Sequence, residues 1–406
     1  MSNNKLNVNQ NPATVTRGVL LGAAFLMATS SVGPGFLTQT TVFTEQLAAS
    51  FAFVILISLL LDVFAQMNVW RVIAVSGLRG QEIANKVMPG LGVVLAVLIV
   101  AGGLAFNIGN VAGAGLGLNA MIGIDPVFGA VISALFAIII FVVKEAGKVM
   151  DRIVAVAGLL MIVMIAFVAF KTSPPIGEAL VNTVAPSQIS FFAIVTLVGG
   201  TVGGYITFAG GHRLLDAGVK GIDSIPYVTK SSVIGIAVTG IIRVALFLAV
   251  LGVVSKGLAI DPANPPASVF QLGAGELGLR MFGVVMWIAA ITSVVGAAYT
   301  SVSFIRSFSP VIEKYHNWII ILFIVVSTAT FAFVGRPVNI LIIVGALNAL
   351  ILPLALGTLL IAAYKKNIVG SEYKHPLWLT IGGVIVVIVM AILGVKTLIE
   401  QIPLLF

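Results

Sequence analysis

The chain has 406 residues, of which 59% are hydrophobic and only 9% charged, and its formal net charge is +8. A soluble protein carries about 25% charged residues, so this composition excludes soluble domains and describes a polytopic membrane protein. The absence of cysteine excludes disulfides, thiolate metal sites, iron–sulfur clusters and cysteine nucleophiles.

A helix that spans a bilayer needs roughly 20 apolar residues. The first sixteen residues are polar, Asn-rich and lack a signal-peptide core, which predicts a cytosolic tail over 1–16. Eleven apolar runs follow, at 17–43, 47–68, 91–113, 124–143, 152–170, 190–211, 231–254, 279–304, 317–334, 338–363 and 376–398. With the N-terminus inside, sixteen of the 22 Lys and Arg residues fall in cytosolic segments and four (Lys171, Lys256, Arg336 and Lys396) fall outside. This bias predicts an N-terminus in the cytosol and a C-terminus on the far side of the membrane. The basic residues are spread over six loops and lack the aromatic interleaving of a nucleic-acid surface. No signal peptide and no long glycosylated loop are present, which suggests a prokaryotic inner (plasma) membrane.

The first run carries Gly33-Pro34-Gly35-Phe36, and the sixth carries Gly199-Gly200-Thr201-Val202-Gly203-Gly204-Tyr205 ahead of Ile206–Gly211. Pro34 lacks an N–H and disfavours a helical Gly33, and so many glycines make a poor continuous helix. Read singly, each is either a close-packing helix face or a break. Read together, the breaks lie five helices apart, and that offset inverts one five-helix unit relative to the other, as in inverted-repeat carriers whose substrate lies between the broken helices. The expected fold is an all-α membrane protein with a LeuT-type five-plus-five inverted repeat. The first repeat covers 17–171, the second 190–364, and 376–398 adds an eleventh helix.

The third run, Asn107-Ile108-Gly109-Asn110-Val111-Ala112-Gly113 through Asn119, resembles the Asp-Ile-x-Glu-Val-Ile-Gly signature of the NRAMP family of divalent-metal transporters. Arg71–Gly77, Glu82-Ile83-Ala84, Gly33-Pro34-Gly35-Phe36, Val198–Val202 and Ile351-Leu352-Pro353-Leu354 are similar to further family stretches. The resemblance covers nearly the whole chain and implies a secondary active transporter with alternating access. The departures lie at the metal. Where the family has the metal-binding Asp and Asn of helix 1, this chain has Gly33 and Phe36; where it has the helix 6 Met, the chain has one of Gly203 to Tyr205; where it has the helix 3 acids, it has Asn107 and Asn110. His212 stands near the position of the second histidine of the helix 6 motif.

Of the fourteen acidic residues, only Asp62 lies well inside a predicted span, although hard divalent cations require carboxylate or carbonyl oxygen. A helix restarting at Phe36 presents free N–H groups and a partial positive charge, which suit an anion. The expected substrate is therefore a small organic carboxylate or an amino-acid-like molecule, a cyclic amino acid such as 5-oxoproline being one candidate. Gly33, Gly35, Gly203 and Gly204 would leave it room, Thr38, Gln39 and Thr40 would supply polar contacts, and Phe36, Tyr205 and Phe208 would form apolar walls. The alternatives are a divalent metal ion (Mn or Mg type) held by carbonyls and a membrane sensor that binds without transporting.

Coupling or gating candidates are Asp62, Asn107, Asn110, His212, Arg243, Thr292 and Ser293. Each also has a structural reading. Asp62 reaches interfacial water or caps a neighbour, His212 caps a helix, Arg243 contacts helix-end carbonyls, the two Asn residues glue helices together, and Thr292 and Ser293 bond back to the preceding turn. No resident metal or cofactor is expected, and the coupling ion is expected to be H+ or Na+. The partners are the lipid bilayer and a small molecule, with the oligomeric state open. No metalloprotease motif, paired intramembrane carboxylates or P-loop is present, so an enzyme is not expected. The turn-rich segment Ser255–Phe270 is expected either to cover the outer mouth or to act as a plain connector.

Overall fold

The computed structural model describes residues 31–306 and 308–401, and every regular element among them is helical. Within hydrocarbon each backbone N–H and C=O must be satisfied inside its own segment, which a helix achieves. The expected tail 1–16 and the first fourteen residues of the first apolar run lie outside the described residues.

Helix α1 (Pro34–Leu47) starts at the first predicted break, with Pro34 in its first turn and extended Gly33 as its cap. It ends at Ala48, a non-glycine residue with φ 47, which turns the chain through the 3-10 segment Ala48–Ser50 into α2 (Phe51–Ser76). Gly77 closes α2 in the left-handed conformation (φ 65). The short α3 (Gly80–Val87) begins with the Arg79 N–H donating to Glu82. Helix α4 (Leu91–Ile122) is long and glycine-rich, and the glycines mark close approaches: a Cβ on Gly113 would overlap Pro34, and one on Gly117 would meet the Trp287 backbone at 2.7 Å.

Helix α5 (Pro126–Val142) is capped by the Asp125 carboxylate, and α6 (Lys144–Thr172) bends by 106° into α7 (Ile176–Val184). The sixth run is two helices, α8 (Phe191–Val202) and α9 (Ile206–Asp216). A second 3-10 turn, Ile222–Ser224, leads into α10 (Ile225–Val254). Helix α11 (Pro265–Arg306) changes direction at Gly275 (φ 72) and begins well before the predicted 279 because Pro265 and Pro266 nucleate an extra segment. Then come α12 (Pro310–Val334), α13 (Pro337–Ala349), α14 (Ile351–Ala362), the single turn α15 (Lys366–Val369) and α16 (Leu377–Gln401).

Among the described residues eight helical stretches are long and apolar enough to cross a membrane, nine if α6 and α7 form one bent span. The stretch Pro34–Ser76 holds parts of the first two predicted runs, and the fourth run is the shorter Pro126–Val142. Among the described residues, the parts of the predicted runs that are present fall on helices. The packing joins α1 to α8, α10, α11 and α13, and α4 to α11. The outer faces carry exposed Phe128, Trp318, Phe333 and Ile392, as a bilayer requires. The segment 255–264 is tied down where the Asn264 amide donates to the Leu116 carbonyl at 3.1 Å.

Candidate functional site

The two breaks face one another, and the Ser31 hydroxyl, just before the first, donates to the Thr201 carbonyl just before the second at 3.1 Å. At the second break the backbone itself dictates the residue type. Gly203 is extended, Gly204 has φ 53, and helix resumes after Tyr205. A side chain at 204 would be strained in that conformation.

Two polar groupings lie at the breaks. In the first, the Cβ position of Gly33 is 3.3 Å from Ser293 Oγ and 3.6 Å from Asn110 Oδ1. The Tyr205 hydroxyl is directed at Asn110, and its ring packs edge-on against Phe106 at 5.7 Å. Helices α4, α9 and α11 thus meet at the position where the resemblance puts a metal-binding Asp and this chain has none.

In the second, Arg243 of α10 is fully buried. Its Nη1 donates to Thr201 Oγ1 at 3.1 Å, and its guanidinium lies 4.3 Å from the centroid of the Phe36 ring. The remaining donors, Nε and Nη2, have no hydrogen-bond partner. Beyond Thr201 stands Asp62 of α2, also fully buried, with both carboxylate oxygens unpartnered. The opposite charges act on each other through space without a hydrogen-bonded ion pair.

A cavity of about 500 Å³ is lined by Arg79, Ala209, His212, Gly296, Thr300 and Arg306 among others. Ala209 and Gly296 lie one turn beyond Tyr205 and Ser293. Two ion pairs rim the cavity, Arg79 with Asp216 and Arg306 with Glu313.

Other expected residues serve the packing. Gly203 and Gly204 leave no room for a ligand: their Cβ positions fall 2.8 Å from the Asn348 carbonyl and 1.9 Å from Asn348 Oδ1. Asn348 itself donates to the carbonyls of Gly102 and Val344. Gly35 is in ordinary contact with the Leu341 carbonyl and Gln39. Gln39 donates to the Leu341 carbonyl at 2.8 Å, so its amide links α1 to α13. The hydroxyls of Thr38 and Thr40 are buried and unpartnered.

Phe208 does not wall the break. It packs against Gly80, His212 and Phe304, because α9 turns that face toward α3 and the end of α11. His212 accepts the Gly80 N–H at Nε2, 3.1 Å, and so caps α3. Asn107 donates to Ser327 of α12 at 3.1 Å, whereas Asn110 faces the first break, so the two share no partner. Thr292 bonds back to the Ile288 and Ala289 carbonyls, while Ser293 faces Gly33. Asp62 reaches no interfacial water; it is enclosed. Sequence reasoning missed Asn348 and passed over Thr201 as one residue of a glycine run. Of the two Asn residues in the apolar run 338–363, Asn339 stands at its edge and Asn348 well inside it, which was the available signal for Asn348.

Among the described residues no group of three or more His, Asp or Glu side chains is placed to hold a metal ion. Facing broken helices in an all-helical membrane chain define the class: the fold is that of membrane transporters. Residues 24–400 match the sequence model of the natural resistance-associated macrophage protein-like (Nramp) family, and the chain belongs to that family. It is 68% identical over 385 residues, covering 95% of each chain, to the membrane protein YcsG of Bacillus subtilis (strain 168). Its fold is similar to that of a manganese transporter of Eremococcus coleocola (TM-score 0.74, 17% identity, 98% of this chain and 90% of the other). It is also similar to MhsT in complex with L-phenylalanine (TM-score 0.60, 16% identity, 93% and 98% covered).

Proposed function

We propose that this Nramp-family chain carries a small organic carboxylate, of amino-acid-like size, by alternating access between the two broken helices. The observation that carries this reading is Arg243, a buried cation touching both breaks, through Phe36 and Thr201, with two donors free. A guanidinium presents its donors as a planar fork that matches a carboxylate. Leaving such donors buried and unpaired is costly, and a carboxylate substrate satisfies them. The N–H groups of the first turn of α1 add a partial positive charge at the same place.

The same residue opposes a metal substrate. A divalent cation held near a fixed guanidinium is repelled, and at a separation of about 8 Å the repulsion is on the order of 4 kcal/mol for an effective dielectric of about 20. No carboxylate cluster among the described residues offsets it. A metal reading retains one point in its favour: Asn110 Oδ1 and Ser293 Oγ converge on Gly33, in a family whose fold is shared by a manganese transporter.

Thermal unfolding of the purified protein separates the two readings. It would be measured with amino acids, lactams including 5-oxoproline, L-lactate and other monocarboxylates, and in parallel with Mn²⁺ and Mg²⁺. A rise in Tm with an organic carboxylate, absent in Arg243→Gln, is the expected result. Stabilisation by a divalent ion alone, unchanged in Arg243→Gln, would overturn the proposal in favour of metal. Uptake into proteoliposomes then distinguishes a carrier from a binding sensor.

A further inference from the structure

Asp62 has no place yet in this scheme, although a fully buried carboxylate with both oxygens unpartnered is costly to keep in a protein core. The other charged residues of helices packed on α2, among them Glu45, Glu178, Lys230 and Lys396, stand toward helix ends. Arg243 is the charged group acting on Asp62. Thr201 lies between the two, bonded to the guanidinium. Arg243 is therefore shared: one side faces Phe36 at the first break, and its charge also compensates Asp62.

We propose that Asp62 is the proton-binding site of the carrier, and that it takes up one proton together with each carboxylate held by Arg243. This rests on the carboxylate reading above and adds the coupling ion and its stoichiometry. Charge must balance in a medium that solvates ions poorly. In the empty site, one guanidinium cation and one ionised Asp62 sum to zero. A substrate carboxylate entering beside Arg243 would leave one uncompensated buried anion, a state that such surroundings strongly disfavour. Taking one proton from solution onto an Asp62 oxygen restores neutrality and frees Arg243 to bind the substrate anion. Loss of that proton to the opposite side returns Asp62 as a competitor for Arg243 and expels the substrate. The two ligands thus strengthen each other's binding by the same factor, as linkage demands.

A metal cation in place of the proton is disfavoured here, because Na+ would sit as a second full charge beside the guanidinium, whereas a proton is absorbed into a neutral carboxyl group. Of the two α11 hydroxyls among the coupling candidates, Thr292 bonds back to its own helix and Ser293 faces Gly33.

The test is proton uptake on ligand addition. Purified full-length protein is titrated with 5-oxoproline and with L-lactate in weakly buffered solution containing a pH indicator, in choline and in sodium salts. Wild type is expected to take up one proton per anion bound, independent of sodium. Its affinity for the anion should weaken about tenfold per pH unit once Asp62 is ionised. Asp62→Asn is expected to bind the same anions with no proton uptake and no such pH slope, while Asp62→Glu retains both. If Asp62→Asn does not fold, the wild-type stoichiometry and the Asp62→Glu slope decide. Binding of either anion without proton uptake, uptake that persists in Asp62→Asn, or a strict requirement for sodium would overturn the coupling inference and leave the carboxylate reading standing. Failure of both anions and of the whole carboxylate panel to bind wild type would overturn both.

Discussion

The guanidinium of Arg243 lies 4.3 Å from the centre of the Phe36 ring and 3.1 Å from the Thr201 hydroxyl, so one side chain of α10 joins the first turn after one helix break to the last turn before the other. The Phe36 face supplies a quadrupole that suits a cation with few hydrogen-bond acceptors around it. Thr201 holds the fork in place and itself donates to the Leu197 carbonyl at 2.8 Å.

Removing the Thr201 hydroxyl should therefore loosen Arg243 without removing its charge. Thr201→Val is expected to cost about 1.5–3 kcal/mol, the range for a hydrogen bond to a charged group, seen as a lower Tm. It should also weaken the binding of carboxylates more than Thr239→Val does. Thr239 is the control because its hydroxyl bonds only back to its own helix, at the Gly235 carbonyl. Equal effects of the two substitutions would show that Thr201 does not position the guanidinium.

The second break depends on Asn348 filling the notch left by Gly204. A methyl group at 204 would fall 1.9 Å from Asn348 Oδ1 and would sit on a backbone with φ 53. Gly204→Ala is expected to destabilise by about 2 kcal/mol or more, from backbone strain together with overpacking. In Asn348→Ala the overlap is removed but the strain stays, so the double variant should be less destabilised than the sum of the single ones. Strict additivity in thermal unfolding would contradict this account of the break.

What was legible in the sequence follows from which forces act locally. The apolar runs could be read because hydrocarbon sets the minimum length of a helix, and the breaks because Pro34 and the Gly203–Gly204 pair alter the backbone where they stand. The partners of the break residues are set by tertiary packing and were not legible. Asn348 lies 144 positions beyond Gly204, and nothing in either segment announces the fit. Asn107 and Asn110 illustrate the limit of spacing arguments. Three residues advance a helix by about 300°, so the two side chains diverge by about 60°, enough for one to reach Ser327 and the other to face Gly33. Phe208 was misplaced for the same reason, since α9 directs it to Gly80 rather than to Gly33.

Just before α16, a buried polar clasp pins the segment that holds His375 against α2. His375 Nε2 pairs with Asn68 Oδ1 at 2.8 Å and Nδ1 with the Tyr373 hydroxyl at 2.7 Å. The Asn68 amide donates to the Phe64 and Leu379 carbonyls, so its oxygen faces His375 and must accept from Nε2–H. That assigns the neutral imidazole tautomer with the Tyr373 hydroxyl donating to Nδ1. Burial, and next the positive charge of Arg71, lower the His375 pKa from 6.5 to about 4. The unfolded chain therefore binds the proton more readily than the folded one. The stability contributed by the neutral clasp is complete above about pH 6.5 and is lost as the pH falls through about 4. Thermal unfolding scanned from pH 7.5 to pH 4 should show a decline that is shallower in His375→Gln. An identical decline in both would assign it to other groups.

The cavity lined by His212 and Gly296 carries the last prediction, which concerns orientation. Thr300 and Ser303 line it together with Arg79 and Arg306, and the charge bias predicts that this end faces the cytosol. The chain has no cysteine, so a single Thr300→Cys or Ser303→Cys variant provides the only thiol. A membrane-impermeant maleimide should label either variant in inside-out vesicles and spare it in right-side-out ones. Both positions lie on α11 within two turns of Gly296, close enough to the breaks that a bound carboxylate should change their labelling rate by closing or widening the path. Labelling only from the outer side would invert the topology. Rates indifferent to a carboxylate that raises Tm would separate the cavity from the route that the substrate takes.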